Sequence, residues 1–470
     1  MGKTIIISNR LPVQLQISNG SITAIPSVGG LATGMKSVHS GGDSLWIGWS
    51  GLTDEDIPKE LEADIDKALA KHGSSKVTLS EAEVEGFYFG FSNRTIWPLF
   101  HYFLEYSEFE LDSWNTYKTV NQKFADAILD KAEDDDVIWI HDYQLMLVPQ
   151  MVREKRPNIS IGFFLHIPFP SFEIFRTMPW RKEVLEGLLG ADLIGFQTPE
   201  HADNFQRLAI RLGVATRQKK SVLKVGSRTV TLKAVPIGID NARYDQASTD
   251  PDIIERAQDL RARLGQPHKV LLGVDRLDYT KGIDLRLRAY KELLAEGRLN
   301  PATVTMIQVA EPSRDKVDAY ITLRERVERL VGEINGDFGR VGFPVVHYIH
   351  QSQTFEELMA MYRAADVMLV TPFNDGMNLV AKEYVATRYD ETGALVLSEF
   401  AGAAVELKDA LLVNPHDIDG VKGAIMEAVE MEPEESRDRM RKLRRVVRRN
   451  DAVAWAKAFL DELSSLNPAD

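Results

Sequence analysis

The chain has 470 residues, of which 44% are hydrophobic and 27% charged, with no cysteine and a formal net charge of −13. This length holds two or three domains with real cores, and the absence of cysteine excludes disulfides, thiolate metal sites and cysteine nucleophiles. The negative balance argues against broad nucleic-acid binding and requires that any phosphate site be built from local cations and backbone amides. The opening apolar run in MGKTIIISNRLP is too short for a signal peptide or a membrane span, and no later stretch reaches roughly 18 uninterrupted apolar residues. A cytoplasmic protein with no nucleic-acid and no membrane partner is expected.

In chain order, a first strand is predicted at Thr4–Ser8, followed at once by Asn9 and Arg10. The Gly29–Gly30 pair in VGGLATG lacks the G-x-G-x-x-G order of a dinucleotide fingerprint, but leads into a helical stretch whose amides suit phosphate. Tyr88 and Trp97 flank Ser92, Asn93 and Arg94, a pattern that predicts a partly polar wall. The acidic triplet Asp134–Asp136 precedes a strand and reads as a solvated loop, so no metal site is expected there. Strands at Val137–Ile140, Ile161–Leu165, Leu193–Phe196 and Thr231–Val235 complete a first set. The first of these ends on His141 and Asp142 and the second on His166, in HIPFP. A lone histidine after a strand is usually structural, the reading given to His141. His166 differs because two prolines fix its loop.

A domain boundary is placed near Pro236–Asp240. Beyond it, strands are predicted at Val270–Val274, Val304–Val309, Val345–Ile349, Val367–Thr371 and Leu395–Leu397. The first leads to Arg276 and Lys281 in DRLDYTKG, and the second to Glu311, Ser313 and Arg314. The fourth leads to Asp375, Gly376 and Met377, after which Asn378 opens the helix NLVAKEYVAT. The last leads to Ser398, Glu399 and the turn AGAA. A strand that runs through a glycine-bearing loop into a capped helix aims free N–H groups at one point, where phosphate binds. Asp375 and Glu383 add carboxylates suited to sugar hydroxyls. The basic run Arg437–Arg449 reads as a solvated helix face. A final helix, Asp451 to Leu466, carries Trp455, Phe459, Leu463 and Leu466 on one face for docking on a core.

Apolar strands alternating with helices predict an α/β protein whose parallel sheets are covered on both faces, in two domains rather than one large sheet. Ligands bind beyond the carboxyl ends of such strands, where the polar residues fall in both halves. Two such edges facing each other are expected to form a cleft.

The segments SNRLP, GGLATG, FGFSNRTIWPLFHY, HDYQLMLVP, FFLHIPFPS, GFQT, DRLDYTKG, PSR and DGMNLVAKEY resemble, in this order, those of the trehalose-6-phosphate synthase family, from Ser8 to about Asn450. The resemblance implies the GT-B architecture: two Rossmann-like domains with parallel sheets, 1–238 for the acceptor and 239–450 for the nucleotide-sugar donor. The helix 451–470 would cross back to the first domain. It implies retaining transfer of glucose from a nucleoside-diphosphate-glucose, UDP-glucose first among the candidates, to a sugar-phosphate acceptor, glucose 6-phosphate. No cofactor and no metal are implied, and homo-oligomerisation stays open. Arg276 and Lys281 would hold the donor diphosphate. Asp375 and the backbone of Gly376, Met377, Asn378, Leu379 and Val380 would take donor glucose and phosphate, and Glu383 the ribose. His166 would lie by the transferred glucose, and Gly30 in a loop over the donor. Arg10, Tyr88, Trp97 and Arg314 would bind the acceptor phosphate and sugar, with Asp142 on its hydroxyls. The catalytic set is His166, Arg276, Lys281 and Asp375. Two positions depart from the pattern: Phe89 stands where many relatives have Asn, and Asn374 where many have Arg. The alternatives are a glucosylglycerol-phosphate synthase, which takes glycerol 3-phosphate, and a catalytically silent sugar-phosphate sensor.

Overall fold

Runs of consecutive Val, Ile and Leu leave a strand no polar face, so such strands persist only in sheets covered on both sides. The computed structural model, which describes residues 2–18, 21–26, 35, 44–314 and 317–466, assembles them in two units. The first comprises Met1–Ile237 and Ala452–Asp470, the second Gly238–Asp451. Among the described residues no helix is long and apolar enough to cross a membrane.

The strands of the first unit are β1 (Thr4–Arg10), β2 (Val13–Ser18), β3 (Ser21–Pro26), β4 (Ser44–Thr53), β5 (Ser74–Leu79), β6 (Val137–His141), β7 (Ser160–Phe164), β8 (Leu193–Phe196), β9 (Thr216–Lys219), β10 (Val222–Val225) and β11 (Arg228–Ala234). Nine form one sheet in the order β5-β4-β1-β6-β7-β8-β11-β10-β9, while β2 and β3 make a separate hairpin. Neighbours from β5 to β11 run parallel; β10 and β9 are antiparallel additions at one edge. The chain builds outward from β1 to β4 and β5, then returns to lay β6 on the other side. The strand order therefore reverses between β1 and β6.

The second unit holds β12 (Lys269–Arg276), β13 (Val304–Glu311), β14 (Val346–Ile349), β15 (Val367–Val370), β16 (Ala394–Ser398) and β17 (Leu411–Val413). Their order, β14-β13-β12-β15-β16-β17, is all parallel and is the 3-2-1-4-5-6 order of a Rossmann sheet. Its reversal lies between β12 and β15.

Every strand expected from the sequence is present, with ends displaced by a few residues at most. The strands β4 and β5, the hairpin and the small strands β9, β10 and β17 were not expected. In β4, SLWIGWSGLT, glycines and serines break the apolar run that marks the others.

The final helix, Ala452–Leu466, docks on the first unit's sheet. Trp455, Phe459 and Leu463 are buried, and Leu466 only half so. Phe459 stacks on Trp139 of β6 at 4.7 Å with 6° between the rings. Glycines in β7 and β8 make the groove for it: a Cβ on Gly162 or Gly195 would come within 2.6 or 2.7 Å of the Phe459 ring. Burial of three such side chains contributes about 1.5–3 kcal/mol each, enough to hold the chain's end in place.

Two expectations of solvated charge need correction. Asp136 is buried: its carboxylate accepts from the amides of Lys3 (2.8 Å) and Glu133 (2.9 Å), tying the turn before β6 to the chain's start. In the basic helix Pro433–Arg449, Arg444 is also buried and donates to the carbonyls of Val385 (3.1 Å) and Ala386. These carbonyls end the helix Leu379–Thr387, where a cation offsets the helix dipole. The neighbouring Arg441 and Arg448 pair with Glu391 and Asp245 on the surface.

Candidate functional site

In the second unit the polar residues gather at the reversal of strand order. Leaving β12, the chain makes the short turn Tyr279–Lys281 and passes through Gly282 at φ +63°. A Cβ there would lie 2.3 Å from the Thr371 carbonyl, so the turn is clamped to the end of β15. The Phe373 amide completes the clamp, donating to the Thr280 carbonyl at 2.8 Å. As a result Lys281 Nζ stands 2.6 Å from Asp375 Oδ2, with both side chains largely buried. Asn378, at φ +73°, serves two groups: its Nδ2 donates to Asp375 Oδ2 (3.1 Å) and its Oδ1 accepts from the Ala381 amide (3.2 Å). It thereby caps the helix Leu379–Thr387 and orients the carboxylate, while the amides of Leu379 and Val380 have no helical acceptor.

The AGAA turn after β16 backs this loop. Asp375 N donates to Phe400 O, Gly402 N to Asp375 O and Ala403 N to Met377 O, at 2.8–3.1 Å. Behind Lys281, Arg286 is fully buried and joins Asp275 (2.6 Å), the Lys281 carbonyl (2.9 Å) and Thr371 Oγ1 (3.1 Å). Burial pushes the Asp275 carboxyl up to about 6, against the pull of Arg286 and Lys281. Burial acts the same way on Asp278, but Arg314, Arg276 and Lys281 outweigh it and hold that carboxyl at about 2. Arg314, at φ +51°, lies 3.2 Å from Asp278, which also accepts from the Tyr320 hydroxyl at 3.0 Å. Arg276 itself is exposed. Glu383 accepts from Tyr362 (2.9 Å) and is hydrogen-bonded to Tyr244; burial raises its pKa above the ordinary carboxylate value.

In the first unit Arg10 ends β1 and lies over the Trp49 ring at 3.9 Å. Gly51, at φ +96°, makes room for it, since a Cβ would fall 2.1 Å from Arg10 Nη1. Tyr88 meets Trp49 edge-on at 6.3 Å and Phe89 at 5.1 Å. The segment Val84–Ile96 is wound as a wide π-helix that turns Ser92 and Asn93 inward, so the expected polar wall is largely interior. Asn93 accepts from Tyr143 at 3.0 Å, and the Trp97 ring lies tilted against His101 at 4.1 Å. Across the reversal, at the end of β6, Asp142 adopts φ +76° and ψ 170°, a conformation that costs a non-glycine residue on the order of 1–3 kcal/mol and marks functional loops. Its Oδ1 accepts from the His166 amide at 3.2 Å. The His166 ring lies 3.2 Å from His141 and 3.4 Å from Gln197.

Residues 2–465 match the model of glycosyltransferase family 20. The chain belongs to that family. Over 99% of its length it is 49% identical to a trehalose-6-phosphate synthase of Mycolicibacterium gilvum, covering 94% of that protein, and 48% identical to the one of Mycobacterium tuberculosis, covering 95%. Among solved structures it is similar to the Escherichia coli enzyme bound with UDP-2-fluoro glucose, at 36% identity and TM-score 0.88 over 98% of this chain and 99% of that one. It is also similar to a UDP-forming synthase of Burkholderia xenovorans in complex with glucose-6-phosphate, at 34% identity and TM-score 0.87 over 98% and 100%. The fold is GT-B, and the chain is a glycosyltransferase.

Of the residues the family motifs single out, Lys281, Asp375, Gly376, Met377, Asn378, Leu379 and Val380 share one loop system, with Glu383 further along the same helix. Arg10 and Tyr88 meet at Trp49, and Asp142 meets His166. Arg314 belongs to the second unit and Arg10 to the first. Gly30 lies outside the described residues. Trp49, Gln197 and Asp278 escaped the reading of the sequence. Asp278 carries a signal, the second aspartate of DRLD, and so does Gln197, the first polar residue after the strand Leu193–Phe196; Trp49 carries none that a single sequence exposes.

Three histidines are kept neutral by burial: His141 far below its ordinary pKa, His166 at about 3 and His201 at about 4. The unfolded chain binds these protons more readily, near pH 6.5, so stability is full above that value and falls as the pH drops toward the folded pKa values. Each contributes a loss of about 2 kcal/mol between pH 7 and pH 5. Thermal unfolding is therefore expected to shift down markedly over that range, and an unchanged midpoint would contradict the burial of these rings.

Proposed function

We propose that this chain transfers glucose, with retention of anomeric configuration, from a nucleoside-diphosphate-glucose to glucose 6-phosphate, giving α,α-trehalose 6-phosphate. UDP-glucose is the donor the reading favours. The observation that carries it is the junction of Lys281, Asp375 and a capped helix N-terminus at the point where the second sheet reverses. That combination suits a sugar diphosphate: ammonium and amides for the phosphates, a carboxylate for the sugar hydroxyls. The two bacterial structures similar to this one, one bound with UDP-2-fluoro glucose and one with glucose-6-phosphate, support the same pair of substrates.

In the proposed reaction the bond between glucose C1 and the diphosphate oxygen breaks, and negative charge grows on the leaving group. Arg276, Lys281 and the amides after Asp375 stabilise that charge most in the transition state. The acceptor hydroxyl bonds to C1 on the face the diphosphate leaves, and its proton passes to a departing phosphate oxygen. In this reading charge stabilisation comes from side chains and amides without a metal, so turnover is expected to survive chelation by EDTA. Asp142 holds the acceptor hydroxyls, and Arg10 its phosphate. Because Arg10 would grip ground and transition states alike, Arg10→Ala is expected to raise KM for the sugar phosphate while kcat stays close to wild type; an unchanged KM removes Arg10 from the acceptor site.

The reading is tested by supplying UDP-, ADP- and GDP-glucose, each with glucose 6-phosphate or glycerol 3-phosphate, and identifying the product. Trehalose 6-phosphate from UDP-glucose is expected. Preference for glycerol 3-phosphate would reassign the acceptor, and binding without any transfer would make the chain a sensor.

A further inference from the structure

A chain of hydrogen bonds in the first unit decides where the protons of its two central histidines reside. It starts from a donor that cannot be mistaken: the buried Ile237 amide gives its proton to Gln197 Oε1 at 3.0 Å. With the oxygen committed there, the Gln197 amide nitrogen faces His166 Nδ1, 3.4 Å away. An amide nitrogen only donates, so His166 Nδ1 is an acceptor and carries no proton. The proton of a neutral His166 then sits on Nε2, which lies 3.2 Å from His141 Nδ1. That makes His141 Nδ1 the next acceptor and leaves the His141 proton on Nε2, a buried atom with no hydrogen-bond partner. The His141 ring is flanked by those of Trp139 and Trp455, 4.7 and 6.2 Å away between ring centroids, and such rings are weak acceptors for an N–H group.

We propose that Gln197 and His141 are positioning residues which fix His166 as the Nε2–H tautomer, with both ring nitrogens committed to protein partners. The assignment deepens the functional reading above and rests on it for the word positioning. Burial, which holds both imidazoles neutral at pH 7, agrees with the hydrogen-bond sequence but is not needed to derive it. The consequence is chemical. With no ring nitrogen to spare, His166 is not the base that takes the acceptor's proton; it offers the transferred sugar a ring of fixed orientation. Its backbone amide is fixed too, on Asp142. The last helix, through Trp455, closes the far end of the same chain of contacts, with its ring 5.9 Å from that of His166.

The test reads the tautomer directly, by nitrogen NMR of protein labelled at histidine with 15N. The His166 signals are assigned by their loss in His166→Ala. In the wild type the unprotonated, pyridine-like nitrogen is expected at His166 Nδ1. In Gln197→Glu the carboxylate accepts from Ile237 and now needs a donor on its other side, so the proton is expected to move to His166 Nδ1. There kcat should fall about 10- to 100-fold, the scale of losing an outer partner of a functional imidazole. His141→Asn, whose Oδ1 replaces the Nδ1 acceptor, is expected to keep the wild-type tautomer and to turn over at least tenfold faster than His141→Leu. A proton on His166 Nδ1 in the wild type overturns the assignment, as does wild-type kcat in Gln197→Glu. The spectrum needs no substrate: the expected tautomer in a protein without glucosyl transfer would sustain the assignment and remove the functional reading instead.

Discussion

Lys281→Ala is expected to lower kcat on the order of 10²- to 10³-fold, the usual scale for losing one preorganised donor to developing charge. Lys281 is held on a clamped turn, its ammonium 2.6 Å from Asp375 and its carbonyl bonded to Arg286. In the proposed reaction little reorganisation is then required when the diphosphate departs. The loss should fall on kcat more than on donor KM, because the charge it meets is larger in the transition state than in the ground state. Removing the ammonium also strands Asp375, a largely buried carboxylate, so part of any defect comes from local instability. Adding Asp375→Asn separates the two effects on stability: the double variant should regain thermal stability relative to Lys281→Ala without regaining turnover. Near-wild-type kcat in Lys281→Ala would sink the proposed role.

Gly402→Ala is expected to cost nearly as much, although Gly402 carries no chemistry. A Cβ there would lie 1.9 Å from the Gly376 carbonyl oxygen and 3.1 Å from Met377 Cα, both backbone atoms that cannot swing aside. The Gly402 amide also donates to Asp375 O. The methyl group therefore displaces the Asp375–Asn378 loop from its register with Lys281. A displacement near 1 Å at reacting groups is worth on the order of 10² in rate, and overpacking of this kind costs about 1–3 kcal/mol of stability. The measurement is kcat together with donor affinity and the unfolding midpoint; unchanged values in all three would show that the loop has slack the contacts deny.

Much of this site was legible in one dimension. The strands reveal themselves by apolar runs, and the polar residues that follow them, Arg10, Asp142, His166, Lys281 and Asp375, reveal themselves by position. Asn378 was legible as a helix cap because that role depends on residues at most three away. Solvation was the weak point. Asp136 and Arg444 are charged residues in charged surroundings, yet each is buried to satisfy backbone groups at the end of another element. Nothing local distinguishes them from their exposed neighbours.

The sequence by itself determined the α/β class, the two sets of parallel strands, the edge at which the polar residues gather and the helix that closes the chain. These follow from local periodicity and from the rule that parallel strands carry their ligands at the carboxyl end. Only the tertiary structure decided which of those residues act together. Lys281 and Asp375 are 94 residues apart, and they meet because β12 and β15 are neighbours in the sheet. Gln197, His166 and His141 stand at the carboxyl ends of β8, β7 and β6 and are joined by bonds whose direction is set by the Ile237 amide. Pairing of this kind depends on strand order and on the crossing of distant loops, which a pattern of 2 or 3.6 residues does not encode.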